Sequence, residues 1–174
     1  MRIAMLTLFL TATVAFADVD SGPKVGDPIE KLTVFGVVGL VEDKEADFAA
    51  ERKDKPTIYV FVQKDKWTRP MANFLKTLDK EVVKANEDAK VVTVFLGDEI
   101  KAIRDYLPTA QKSLMFENTS LCVFEGDKAG PKGWGINADA HLTAVIVKKN
   151  KVVASVGYQT VNATDVEKLV KSIK

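Results

Sequence analysis

The chain has 174 residues, 47% apolar and 28% charged, long enough to bury the core of one globular domain and too apolar to stay disordered. Its 25 basic and 24 acidic side chains nearly cancel, and the lysines are spread along the chain, which argues against nucleic acid or an anionic membrane as the main partner. A single cysteine, Cys122, excludes an intrachain disulfide, and a single histidine, His141, excludes a histidine-rich metal site.

Residues 1–17, MRIAMLTLFLTATVAFA, carry one Arg, an apolar run from Ile3 to Phe16 and the small-residue ending Ala15-Phe16-Ala17. This is the pattern of a secretory signal peptide cut before Asp18. The run is shorter than the ~20 apolar residues that a bilayer span needs. The expected product is therefore exported, periplasmic or extracellular, with no membrane association after cleavage. Loss of Arg2 takes the formal charge from +1 to zero. Residues 18–30, with their Gly-Pro and Asp-Pro steps, read as an extended lead-in, and residues 31–174 as a single domain.

The first predicted strand is LTVFGVVGL, Leu32 to Leu40. A charged stretch, VEDKEADFAAERKDK, separates it from PTIYVFVQ, where Pro56 opens a strand and Ile58 to Val62 form a run suited to burial on both faces of a parallel sheet. From Met71 the period changes: Met71, Phe74, Leu75, Leu78, Val82 and Val83 place one apolar stripe on a helix. KVVTVFLGD is the next strand, completing a right-handed βαβ unit. A weaker helix is expected from Glu99 to Leu107, ended by Pro108, then a short strand in SLCVFEG and a Gly/Pro-rich loop, DKAGPKGWG. HLTAVIVKKNKVVASVGY reads as a hairpin turning at Lys148-Lys149-Asn150-Lys151. VNATDVEKLVKSIK closes the chain as a helix capped by Asn162 or Thr164.

A parallel βαβ half followed by a ββα half resembles the thioredoxin-like redoxins and, more loosely, the peroxiredoxins, from about Val25 to Lys174. The likeness rests on the strand-to-helix corner YVFVQKDKWTRPM, on GPKGWGINADAHLTAVIVKKNKVVAS and on the closing helix. It implies an α/β fold: a three-layer α/β/α sandwich around a mixed sheet. Where thioredoxins carry Trp-Cys-Gly-Pro-Cys, this chain has Trp67-Thr68-Arg69-Pro70-Met71; where peroxiredoxins carry Thr-x-x-Cys, it has Thr68-Arg69-Pro70-Met71. Either alignment loses the nucleophile. A thiolate at a helix N-terminus is the reactive species of both families, and neither a threonine hydroxyl nor a thioether replaces it. The loop that carries a cis-proline in thioredoxins falls on Ala140 or His141, depending on the alignment, and a trans bond is expected there.

Thr68 is expected to cap the helix through its side chain, worth about 1 kcal/mol. Arg69 reads as an exposed side chain and only weakly as an anion ligand. Met71 reads as core. Trp67 and Trp134 either rim a groove between corner and loop or cover edges of the core, and the sequence leaves both open. His141 with Asp127 and Asp139 is a weak metal set, so no metal and no cofactor is expected. Cys122, within Leu121-Cys122-Val123-Phe124, reads as a small buried hydrophobe. Asn118-Thr119-Ser120 and Asn162-Ala163-Thr164 match the glycosylation pattern, the second reading equally well as a helix cap. The expected function is that of an exported, non-catalytic protein that binds a peptide or protein partner at its degenerate redox corner. The alternatives are a thiol oxidoreductase or peroxidase using the displaced Cys122, and a structural interaction module of the envelope.

Overall fold

Val-, Ile- and Phe-rich segments supply the sheet in this computed structural model, which describes residues 19–174; the signal-peptide reading of residues 1–17 lies outside them. In chain order the elements are β1 (Thr33–Val38), β2 (Lys44–Asp47), α1 (Phe48–Arg52), β3 (Thr57–Gln63), a 3-10 turn (Lys64–Lys66), α2 (Arg69–Ala85), β4 (Lys90–Leu96), α3 (Ile100–Leu114), β5 (Thr119–Val123), β6 (Leu142–Lys148), β7 (Lys151–Tyr158) and α4 (Ala163–Ile173). The strands form one seven-stranded sheet in the order β2-β1-β5-β4-β3-β6-β7. β3, β4 and β5 run parallel through α2 and α3, and every other pairing is antiparallel, so the sheet is mixed.

The strand period of two divides the core. Ile58, Val60 and Val62 pack on one face beneath the apolar stripes of α2, α3 and α4. Tyr59 and Phe61 point to the other, where Leu32, Phe48, Ala49 and Trp134 cover them. The layering is α/β/α, with the second outer layer made of the five-residue α1, the lead-in and the long loop before β6. No helix among the described residues is long and apolar enough to cross a membrane.

Two stretches of the fold depart from the sequence expectation. The charged stretch after β1 is not a mere connection: it forms β2 and α1. Asp47 Oδ1 accepts from Ala49 N (3.1 Å) and Leu32 N (3.0 Å), and Phe48 enters the core. Arg52 is buried, its guanidinium donating to Thr57 Oγ1 (3.0 Å), Pro56 O (3.0 Å) and Asp88 O (2.7 Å). Both elements are too short to show a period. The second departure is α3, which runs through Pro108 to Leu114. The missing N–H leaves the Arg104 carbonyl without its helical donor. Burial of Leu107 and Ala110 holds the helix together across the defect, and its end is closed by Gln111 Nε2 donating to Phe116 O (2.8 Å).

The end of the chain follows its sequence closely. Lys149 and Asn150 have positive φ (50° and 58°) between the paired Lys148 and Lys151, the geometry of a two-residue hairpin turn. Of the two cap candidates for α4, Asn162 takes the position: its Oδ1 accepts from Thr164 N (2.9 Å), while its own N–H donates to Asp165 Oδ2 (2.9 Å).

Candidate functional site

β3 ends at Gln63, the 3-10 turn follows, and α2 starts at Arg69, so Trp67 to Met71 form the strand-to-helix corner. Thr68 occupies the N-cap position with extended backbone (φ −131°, ψ 163°), but its side chain makes no cap hydrogen bond, contrary to expectation. The second helical residue is Pro70, which has no N–H, so one of the two amides that a cap normally serves is missing. Thr68 contributes its carbonyl instead, accepting from Ala72 N (3.1 Å). Arg69 and Pro70 are exposed. Met71, 2% exposed, is the first core residue of the α2 stripe.

The two tryptophans do not share a groove. Trp134 is 0% exposed and lies under the second face, its ring centroid 5.1 Å from that of Tyr59 and 5.1 Å from that of Phe61, with Nε1 donating to Lys31 O (3.3 Å). A position in the Gly-rich loop is compatible with core because that loop folds down onto the sheet. Trp67 is half-buried on the first face, its ring edge-on to Phe95 at 5.3 Å. Its Nε1 donates to the Tyr106 hydroxyl (2.8 Å), and Lys64 Nζ sits 4.7 Å over the Tyr106 ring.

Ala140 is buried and His141 half-buried. His141 N donates to Tyr158 O (2.9 Å) and its carbonyl accepts from Gln63 N (3.1 Å), so this loop joins the ladder directly beside the end of β3. Peptide bonds among the described residues are trans. Asp127 Oδ1 is used within its own loop, accepting from Ala129 N (2.8 Å). Among the described residues no three His, Cys, Asp or Glu side chains are grouped to hold a metal ion.

Cys122 lies in the middle of β5, paired with Gly36 and Val94, 0% exposed in the second-face core. Burial pushes its thiol far above the ordinary range. It therefore stays protonated and inaccessible, unlike a nucleophilic thiol.

An open cavity of about 740 Å³ adjoins the corner at the C-terminal ends of β3 and β4. Ala102, Ile103 and Tyr106 of α3 make its apolar wall, and Lys64, Asp98 and Lys128 are among its charged lining. Lys128 Nζ bridges to Asp98 Oδ2 (2.9 Å), a hydrogen bond that raises the lysine pKa, and Gln63 Nε2 reaches Lys128 O (3.4 Å). Thr68, Arg69, Pro70 and Met71 do not line it. Tyr106 and Lys128 were not foreseeable as site residues from their neighbours; the one available signal was Gly97-Asp98 just past a parallel strand, where open α/β sheets place ligands.

A mixed sheet with a β3-α2-β4 crossover, a β6-β7 hairpin and a closing helix defines a thioredoxin-like fold. Solved structures of that class superimpose on the chain. A putative thiol:disulfide interchange protein DsbE from Chlorobium tepidum matches with a TM-score of 0.62 and 17% identity, over 87% of this chain and 96% of that one. A peroxiredoxin-like protein from Aquifex aeolicus matches with a TM-score of 0.59 and 18% identity, over 91% and 92%. A secreted thiol-disulfide isomerase from Corynebacterium glutamicum matches with a TM-score of 0.61 and 12% identity, over 97% and 98%. No protein-family model matches the sequence, and no curated protein does. At these identities the likeness establishes the fold, and chemistry must be argued from the residues.

Proposed function

We propose that this is an exported, non-catalytic thioredoxin-fold protein that binds a segment of a peptide or protein partner in the cavity beside its degenerate corner. The observation that carries the reading is an open cavity of about 740 Å³ next to a corner with no thiol, in a chain whose one cysteine is sealed in the core. An apolar wall with lysines and carboxylates together at the rim suits a polypeptide segment, which brings apolar side chains and charges of both signs. Export is supported by the pattern of residues 1–17 and by the secreted isomerase among the structural neighbours. The Cys122 enzyme has no supporting observation: its thiol is neither exposed nor ionisable near neutral pH.

Insulin-disulfide reduction and thiol-dependent peroxide turnover by the purified protein test the catalytic half of the proposal. Both are expected at background, and turnover at the rate of an ordinary thioredoxin overturns it. Crosslinking to envelope proteins tests the binding half: Tyr106→Ala should lose partners that the parent protein captures. Partners unchanged by that substitution would point to a scaffolding role in which the cavity takes no part.

A further inference from the structure

The loop between β5 and β6, residues 124–141, forms one wall of the cavity through Asp127, Lys128, Ala129 and Ala138, yet it contains no strand or helix. Its internal backbone hydrogen bonds are a few turns, such as Gly130 N to Asp127 O and Ala140 N to Asn137 O. Its far side is held by the lead-in. Gly22 N donates to Gly135 O (2.9 Å), Asn137 N donates to Ser21 Oγ (2.9 Å), and Asn137 Nδ2 donates to Asp20 O (3.1 Å). Ser21 is 3% exposed, and its Oγ is also 2.7 Å from Thr143 Oγ1 on β6. Its carbonyl accepts from Ser155 Oγ on β7 (2.7 Å). Val19 exchanges both backbone bonds with Gly157, also on β7 (2.9 and 3.0 Å).

Close packing makes this junction specific. A Cβ on Gly157 would fall 2.6 Å from Ser21 Cβ and 3.0 Å from Ala140 Cβ, and one on Gly22 would fall 2.0 Å from Ser155 Oγ. Only glycine at both positions lets the lead-in lie flat across β7 and reach the loop.

We propose that Val19–Gly22 is a strap that sets the cavity wall from behind, with Ser21 as the junction joining strap, loop, β6 and β7. Ser21 is a positioning residue, acting on Ala138 through its neighbour Asn137. The seating of Val19–Gly22 and the placement of the 124–141 loop are then one local equilibrium, separate from the helical face. By reciprocity, whatever orders the wall from the cavity side also holds the strap down. This coupling stands whether or not the cavity ligand is a peptide.

Hydrogen exchange followed by mass spectrometry on the purified protein tests it. Ser21→Ala removes the bond to Asn137 N and the contact with Thr143, and should speed exchange of the Gly135–His141 amides about tenfold while α2 and α4 amides stay unchanged. Ser155→Ala, which removes only the donor to Ser21 O, should act on the same segment more weakly and serves if the first variant does not fold. Loop exchange unchanged in the folded variants, or a uniform rise across all segments, overturns the proposal.

Discussion

Trp67 donates its indole Nε1 to the Tyr106 hydroxyl across 2.8 Å, tying the corner after β3 to the middle of α3. Tyr106 lines the cavity and Trp67 does not, and Lys64, also in the lining, lies over the same phenol ring. Here the corner is organised by an aromatic pair and a lysine, with no thiol in the arrangement.

Tyr106→Phe should leave the ring in place and orphan the half-buried indole N–H. The expected loss is about 1 kcal/mol, with a change in Trp67 fluorescence. Urea titration and emission spectra together check this, and an unchanged spectrum would mean that the bond does not persist in solution.

Asp79, inside α2 and 3% exposed, binds the entry to β5: its carboxylate accepts from Glu117 N (3.1 Å), Asn118 N (2.8 Å) and Thr119 Oγ1 (2.7 Å). Asp79→Ala leaves buried donors unmatched and should lower stability by about 3 kcal/mol. The urea midpoint should fall with little change in the slope. Asn118 is itself committed here, donating to Asp79 O (3.2 Å) and accepting from Lys90 Nζ (2.5 Å), which makes it a poor glycosylation acceptor in the folded protein.

Pro108 interrupts the hydrogen bonding of α3 at an exposed position. Pro108→Ala restores a donor for the Arg104 carbonyl and should raise stability by about 1 to 3 kcal/mol. Thermal melts of the two proteins provide the comparison. No gain would show that the helix has relaxed around the proline at no cost.

Stability should fall in alkali for a reason that can be assigned. Burial raises the pKa of the Cys122 thiol and of the Tyr59 phenol above their unfolded values. Below about pH 8.5 both groups are protonated in the folded and unfolded chain, so their full contribution is present. As the pH rises through about 8.5 for the thiol and about 10 for the phenol, only the unfolded chain releases protons, and the folded state loses ground. The urea midpoint should be flat near neutrality and decline above about pH 9, with a shallower decline between about pH 8.5 and 10 in Cys122→Ala. Equal slopes in the two proteins would show that the thiol is not sealed. Alkylation of Cys122 should likewise be slow until the protein is denatured.

Much of the fold was legible because it rests on local period and turn chemistry. The apolar run Ile58 to Val62, the stripe from Met71 to Val83 and the turn at Lys148-Lys149-Asn150-Lys151 each declare their conformation within a few residues, and the last helix declares its start to within Asn162 or Thr164. β2 and α1 were not legible, since four and five residues carry no period and are fixed only by Asp47 and the burial of Phe48. The length of α3 is illegible in the sequence for a related reason: the cost of Pro108 is local, while the packing that outweighs it is tertiary.

The candidate site divides in the same way. The sequence alone determined that the corner lacks a thiol and that Met71 begins a core stripe, because residue identity and helical period settle both. It could not say on which side of the sheet each tryptophan lies, nor that the cavity opens between the 3-10 turn, α3 and the loop around Lys128 and away from Thr68-Arg69-Pro70-Met71. Nor could it show that Ser21, more than a hundred residues from Asn137 and Thr143, hydrogen-bonds to both. These are contacts between segments far apart in the chain, where no local preference operates, and only packing both faces of one sheet brings them together.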